Sequence, residues 1–399
     1  MTASLSEPIS LPLPEPPSIY EPLPLLIDLQ RDQPVVEVRQ ADGTPAWLVS
    51  RYADVRVALK DHRFSREIER ADHTPVAELG GLETESLMGM DPPKHTRMRS
   101  IVAHAFTPRR VERIRPAVRA MVDELLAGMA ELPRPVDLVQ NYSNPLPIWV
   151  ISELLGIDVE NRPKCKEWSD IMVGDWNRDP ARTKAAVDEF ATLIDLRRSK
   201  PGDDLISEMI VAQEEHGRLT EREMLMVCIG LLVGGHETTA NQINLFLMTL
   251  LHDRELWNRI VENPKDISRT VDELGRYVQI GVSGVMLPRV TLEEVELSGV
   301  TIPAGAVVLL AFMAANRDPR VYHDPNRILI DRMTRNPHLG FGMGVHRCIG
   351  VHLARMELQE SLAGFGRWMP DVRLAVPESE VKFSQGLVVR QVQALPLTW

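Results

Sequence analysis

Along the chain the apolar positions switch between strand-like and helix-like spacing. Val35-Val36-Glu37-Val38 and Ala46-Trp47-Leu48-Val49 are apolar runs on either side of Ala41-Asp42-Gly43, the signature of a hairpin. From about Asp54 to Met286 the spacing is mostly helical, with breaks at Pro and Gly. The longest such pattern runs from roughly Glu221 to Leu251, and its stretch from Met224 to Val233 is apolar on every face, as a helix through the centre of a large domain should be. Strand-like runs return at Val295-Glu296-Leu297, Val300-Thr301-Ile302 and Val307-Val308-Leu309-Leu310, split by Ser298-Gly299 and Pro303-Ala304-Gly305. Val351 to Leu358 reads as a helix, and a last hairpin is expected from Val381 to Leu397. Strand-rich ends around a helical middle predict an α+β, predominantly helical fold. Seven prolines between Pro8 and Pro24 predict an extended, mobile arm over residues 1–30.

Composition narrows the class. With 399 residues, 44% hydrophobic and 25% charged, the chain is long enough to bury a large core. A formal charge of −11 argues against nucleic acid as a partner. Three cysteines supply no disulfide framework and point to a reducing cytoplasm. No Lys or Arg precedes Arg31 and no apolar run opens the chain, so neither a secretory signal nor a membrane anchor is expected there. The apolar run Met224–Val233 is also shorter than the ~20 residues that cross a bilayer. The expectation is a soluble, cytoplasmic protein with no membrane partner.

The chemistry concentrates in Phe341-Gly342-Met343-Gly344-Val345-His346-Arg347-Cys348-Ile349-Gly350. A cysteine ligates a metal as its thiolate, which nearby positive charge, a metal or a helix N-terminus favours. His346 and Arg347 supply basic neighbours, and the helix expected from Val351 places Cys348 at or just before an N-terminus. The surrounding glycines let the backbone turn tightly and approach a flat cofactor. Cys165 and Cys228 read instead as small buried hydrophobes. A zinc site would require further Cys or His at short spacing, and none surrounds Cys348. A zinc-protease reading of His236-Glu237 fails because position 240, where a second histidine belongs, is Ala240. Two adjacent glycines, Gly234 and Gly235, with Thr238 and Thr239 after them, predict a local kink in the long helix. Glu273 and Arg276 fall at i,i+3 on one helix face, as do many ordinary surface ion pairs. His95 and Arg99 share a face in a helix started by Pro92-Pro93 and suit a carboxylate.

The pattern Phe-Gly-x-Gly-x-His-x-Cys-x-Gly, followed by Leu353-Ala354-Arg355, resembles the ligand loop of the cytochrome P-450 family, the haem-thiolate monooxygenases. The resemblance extends from about Pro34 to Trp399 and is to the soluble bacterial members. It implies the family's fold, a single α+β domain over residues 31–399 with a large helical and a smaller β-rich portion. It also implies haem b (iron protoporphyrin IX) with Cys348 as the axial ligand and iron as the metal, Phe341 and Gly350 against the haem, and His95, Arg99, Arg289 and His346 on its propionates. Gly234-Gly235-His236-Glu237-Thr238-Thr239 resembles the family's oxygen-side motif, which implies that Thr238 holds the oxygen species and Glu237 lies on the proton path. Glu273, Arg276 and, through Asp324-Pro325-Asn326-Arg327, Arg327 would form a buried structural charge network. Gly275 departs from the family's usual apolar residue there, and as a helical glycine is expected to loosen that helix.

By position in the family, Leu87, Met88, Gly230, Val233, Val285, Met286, Leu387 and Val388 line the substrate pocket. Nearly all are apolar, which implies a lipophilic small molecule held by shape. Glu69, Arg70 and Asp72 are candidates for a polar substituent. The soluble bacterial members often tailor macrolides, polyketides, terpenoids or peptides, which implies hydroxylation or epoxidation with O2. No second cysteine cluster and no Gly-x-Gly-x-x-Gly after a strand occurs, so electrons are expected from a ferredoxin and its reductase, docking where Arg347, His352 and Arg355 supply positive charge. Two alternatives stay open: a peroxide-driven or phenol-coupling haem-thiolate enzyme, and a non-catalytic haem sensor.

Overall fold

The computed structural model describes residues 9–14, 16, 18–73, 85–174, 179–214, 218–278, 280–281, 285–384, 389 and 391–399. The chain gathers into two compact units. The first comprises Met1–Glu78, Met88–Asp91 and Asp272–Cys348, and the second Leu79–Leu87, Pro92–Val271 and Ile349–Trp399.

The first unit is built on a six-stranded mixed sheet. Its order is Ile9–Ser10, Val35–Arg39, Pro45–Val49, Val307–Ala311, Val285–Thr291 and Phe64–Ser65. The expected hairpin pairs Val35 with Val49 and Val38 with Ala46, turning at Gly43. Val307–Ala311, buried at every position, runs parallel to Pro45–Val49, as a fully apolar strand covered on both faces should. Val295–Leu297 and Val300–Ile302 form the small separate hairpin expected across Ser298-Gly299.

The expectation of an arm over residues 1–30 is overturned for its described part. Ile9–Ser10 pairs parallel with Val38–Arg39, and Pro24–Asp32 is a helix. Leu13, Leu23, Leu26 and Leu29 lie in the core with Val38, Leu48 and Leu309. Gln30 closes the junction, its amide donating to the Ser50 and Ala314 carbonyls at 2.9 and 2.6 Å. Burying each such leucine is worth about 1.5–3 kcal/mol, enough to hold a segment that has few hydrogen bonds of its own.

The second unit is organised by the helix Glu221–His252, predicted to within a residue. Thr220 and Glu223 start it with a reciprocal capping box, and most of its length is buried, polar positions included. The helix Pro145–Leu155 packs close to it: a Cβ on Gly235 would stand 3.1 Å from the Ile151 side chain. The expected kink is not a break, because helical hydrogen bonding continues through Gly234 and Gly235. Among the described residues the expected C-terminal hairpin shows an antiparallel ladder between Lys382–Ser384 and Gln391–Gln393. Phe383 bridges Val392, after which Pro396–Thr398 joins Arg373–Leu374 and Val136–Asp137 in a three-stranded sheet, burying Leu395 and Leu397. Among the described residues, no helix is long and apolar enough to cross a membrane.

Candidate active site

In the first unit, the run around Cys348 is a closed loop. Gly342 N–H donates to the Leu339 carbonyl at 2.8 Å, Arg347 N–H to the Gly344 carbonyl at 3.2 Å, and Cys348 N–H back to the Phe341 carbonyl at 2.8 Å. Gly342 and Gly344 have φ of 63° and 72°, a region L side chains avoid, and a Cβ on Gly344 would overlap the Leu59 carbonyl. The loop therefore requires its glycines. It leaves Cys348 exposed, whereas Cys165 and Cys228 are buried and their thiols are pushed up by burial. The helix Val351–Trp368 begins three residues later, with Gly350 as its N-cap.

Beside this loop lies a cluster of buried and half-buried charged side chains. Arg289 is 5% exposed and its Nε has no hydrogen-bond partner. Burial, then the neighbouring Arg66, lower its proton affinity to about 9, with Asp91 opposing. Arg66 is itself buried, donating through Nε to the Met88 carbonyl at 2.7 Å and through a terminal nitrogen to the Pro288 carbonyl. Burial alone would raise the Asp91 carboxyl, but His346, the Ser65 hydroxyl and the Arg66 N–H together hold it down at about 2. His346 Nε2 stands 3.8 Å from Asp91, and burial lowers its pKa. Among the described residues Arg289 has no ion-pair partner of its own, and a buried cation without an anion is costly. An incoming carboxylate would satisfy Arg289, so the residues present fit a haem propionate. The other two expected propionate ligands fall in the second unit, on the helix Lys94–Val102, where His95 is buried and Arg99 half-buried.

In the second unit, the long helix presents Glu237 and Thr238. Glu237 is 8% exposed. Burial, reinforced by Asp170 and opposed by Lys166, raises its pKa to about 7. Its carboxyl accepts a hydrogen bond from the Gln391 amide, a contact the sequence reading missed. Thr238 Oγ1 donates to the Gly234 carbonyl at 2.7 Å, so toward any other group the hydroxyl is an acceptor. A Cβ on Gly234 would meet nothing within 4 Å, which leaves open space at that turn. His236 is buried, neither ring nitrogen has a hydrogen-bond partner, and burial lowers its pKa to about 4. Among the described residues no cluster could hold a metal ion by side chains of His, Cys, Asp and Glu alone.

The expected charge network exists with a different third member. Glu273 and Arg276 form a bidentate pair at 2.7 and 2.9 Å, and Arg332 Nε reaches the same carboxylate at 3.0 Å. Arg327 is exposed and contributes only its carbonyl, which accepts from Arg276 at 2.9 Å and Arg332 at 3.0 Å. The turn after Asp324 sends the Arg327 side chain outward, and the chain must run five residues further before an arginine points back. Gly275, expected to loosen its helix, instead makes room: a Cβ there would press on the His338 ring at 3.0 Å.

The substrate candidates are only partly described. Leu87 and Met88 are half-buried, Val233 is buried, and Gly230 has Ser86 as its neighbour. Val285 and Met286 pair with Ala311 and Leu310 in the sheet. Leu387 and Val388 lie outside the described residues. Glu69, Arg70 and Asp72 are all exposed, with Arg70 paired to Glu67. Arg347 is exposed, and His352 and Arg355 are half-buried.

Residues 181–365 match the family model for cytochrome P-450. The mycinamicin IV hydroxylase/epoxidase of Micromonospora griseorubida is 40% identical over 380 residues, covering 93% of this chain and 94% of that one. The nocardicin C N-oxygenase of Nocardia uniformis subsp. tsuyamanensis is 39% identical, with 93% and 94% covered. A solved structure of a variant of the mixed-function P-450 MycG in complex with mycinamicin V superposes with a TM-score of 0.89 at 38% identity, over 98% of this chain and all of that one. Likeness of that extent, in sequence and in three dimensions, makes this chain a member of the cytochrome P-450 family, an oxidoreductase of the haem-dependent monooxygenase class.

Proposed function

We propose that this enzyme inserts one oxygen atom from O2 into a lipophilic secondary metabolite, by hydroxylation or epoxidation, in the cytoplasm. Cys348 is the thiolate ligand of haem b, and Arg289, His346, His95 and Arg99 take its propionates. When bound, the haem supplies dioxygen activation at a thiolate-ligated iron. The chain's own residues supply the rest. Glu237, poised near neutrality, exchanges a proton at working pH, where a general acid or base is most effective. Thr238, its proton engaged by Gly234, offers a lone pair toward the reacting oxygen. By position in the family, Leu87, Met88, Gly230, Val233, Val285, Met286, Leu387 and Val388 are the candidates for contact with that substrate, nearly all of them apolar. A ferredoxin with its reductase delivers the electrons, with Arg347, His352 and Arg355 as candidate contacts for an acidic partner. Relatives named for mycinamicin IV and nocardicin C support a secondary metabolite as the substrate, such as a macrolide or polyketide, a terpenoid or a peptide.

The observation that carries the reading is the exposed Cys348 held in a loop only glycine can form, beside a buried guanidinium that demands an anion. The carbon monoxide complex of the reduced holoenzyme is expected to show the red-shifted thiolate band, and Cys348→His to abolish it. A band unaltered in the variant rejects the ligand assignment. Product formed equally well with peroxide alone and with ferredoxin, reductase and NAD(P)H would favour a peroxide-driven enzyme instead. Soret shifts on titration with natural-product scaffolds identify the substrate.

A further inference from the structure

The C-terminal segment is tied to the long helix at two points one turn apart. Gln391 donates from Nε2 to the Glu237 carboxyl, and Val392 N–H donates to Asn241 Oδ1 at 3.1 Å. Glu237 and Asn241 are i,i+4 neighbours on one helix face. Asn241 completes the link, its Nδ2 donating to the Glu237 carbonyl at 2.9 Å. The segment is itself ordered as a ladder: Phe383 bridges Val392, Ser384 N–H donates to the Gln391 carbonyl at 2.8 Å, and Gln393 N–H to the Lys382 carbonyl at 2.9 Å. Gln391 is therefore delivered to Glu237 by a register that Asn241 and the ladder fix independently. Two other charged groups act on Glu237, both from the helix Arg162–Gly174: Asp170 and Lys166, which pair with each other at 2.6 Å. His236, the adjacent buried ring, is neutral. Among the described residues no cation lies within ion-pair distance of Glu237, so the amide is its direct polar partner.

We propose that Gln391 is a positioning residue for Glu237: its amide holds the carboxyl in one orientation and favours the ionised form, so the C-terminal segment sets the pH at which Glu237 exchanges its proton. This rests on the reading of Glu237 as a proton carrier. An N–H donated to a carboxylate stabilises the charged state, and its removal in a dry site leaves burial unopposed. Gln391→Met keeps the shape and removes the donor; Gln391→Glu keeps the shape and adds a competing acid.

The test titrates the protonated carboxyl band of Glu237 by difference infrared in the holoenzyme, the band being identified by its loss in Glu237→Gln. In Gln391→Met the midpoint is expected to rise by about one pH unit, the size of one charge-assisted hydrogen bond, and in Gln391→Glu to rise further. The alkaline limb of coupled product formation moves by the same interval in each variant. A midpoint unmoved in both variants, with the carbon monoxide band and thermal transition intact, overturns the proposal. If Glu237→Gln leaves coupling and its pH profile at wild-type values, the proton-carrier reading fails separately, because the infrared titration reports the Gln391 contact whether or not Glu237 delivers protons.

Discussion

The thiolate loop and the Glu237 turn of the long helix are both built around a functional side chain on a glycine-rich motif, yet their support differs in kind. The loop is self-contained: the bonds that close it join residues within ten positions, and its conformation demands glycine at Gly342 and Gly344. The Glu237 turn depends on distant chain. Its amide partner is 154 positions away, and Lys166 and Asp170 reach it from another helix. Local closure makes a site robust and readable. Support from afar makes it tunable.

The largest way to break this contrast is to attack the loop's unit where its support is also distant. Glu273→Ala removes the carboxylate that Arg276 and Arg332 share, their side chains being 2% and 7% exposed. Removing one member of a buried ion pair costs about 3–5 kcal/mol, which chemical denaturation of the holoenzyme would register. Arg327→Ala, at an exposed position, is expected to stay within about 0.5 kcal/mol of wild type. Equal losses in the two variants would restore Arg327 as the third member. That member illustrates what the sequence conceals. Glu273 and Arg276 share a helical turn and were readable, but choosing between Arg327 and Arg332 requires knowing which way a turn ends. The hairpins at Gly43 and Ser298-Gly299 and the span of the long helix were legible from period and turn chemistry alone. The leucines between the N-terminal prolines, and Gln391, were not, because their partners are set only by tertiary packing.

Next in size is Glu237→Gln, which sharpens the contrast by removing the tunable group while keeping its shape. Loss of a general acid or base lowers turnover by about 10²-fold or more, and product formation per electron consumed should fall with it. Stability changes with a definite sign. The Glu237 pKa is raised to about 7 in the folded state, so its contribution is fully present below the ordinary carboxylate range and is lost as pH rises through about 7. Denaturation of Glu237→Gln is expected to lose that part of the slope between about pH 4.5 and 7. Glu357, fully buried with its pKa raised by burial, retains its own part. A slope unchanged by the substitution would place the Glu237 titration in the ordinary range.

A smaller effect separates the two kinds of glycine. Gly344→Ala must pay for a left-handed φ of 72° and a collision with the Leu59 carbonyl, backbone that cannot rotate away. A loss of about 1–3 kcal/mol follows, together with weakened haem retention, which transfer of haem to an acceptor apoprotein measures. Unchanged retention and stability would mean that the loop tolerates a Cβ and that its glycines are not what shapes it.

The smallest change is at the helix, where two terms nearly cancel. Gly235→Ala gains helix propensity, about 1 kcal/mol in a helix interior. Against it stands the Ile151 side chain, 3.1 Å from the added Cβ at both Cδ1 and Cγ1. A side chain in a packed core yields a few tenths of an ångström at a cost of about 1 kcal/mol, so the single variant should differ little from wild type in thermal midpoint. Pairing it with Ile151→Val removes Cδ1, the outer of the two contacting carbons, while the single Ile151→Val costs about 0.5–1.5 kcal/mol for the methyl lost. The double variant should then be more stable than the sum of the singles predicts, a coupling of favourable sign that a double-mutant cycle isolates. Strict additivity would mean that Ile151 does not limit this turn and that Gly235 is present for another reason. Favourable coupling would instead uphold the contrast with Gly344, one glycine being required by its backbone and the other only by its neighbour.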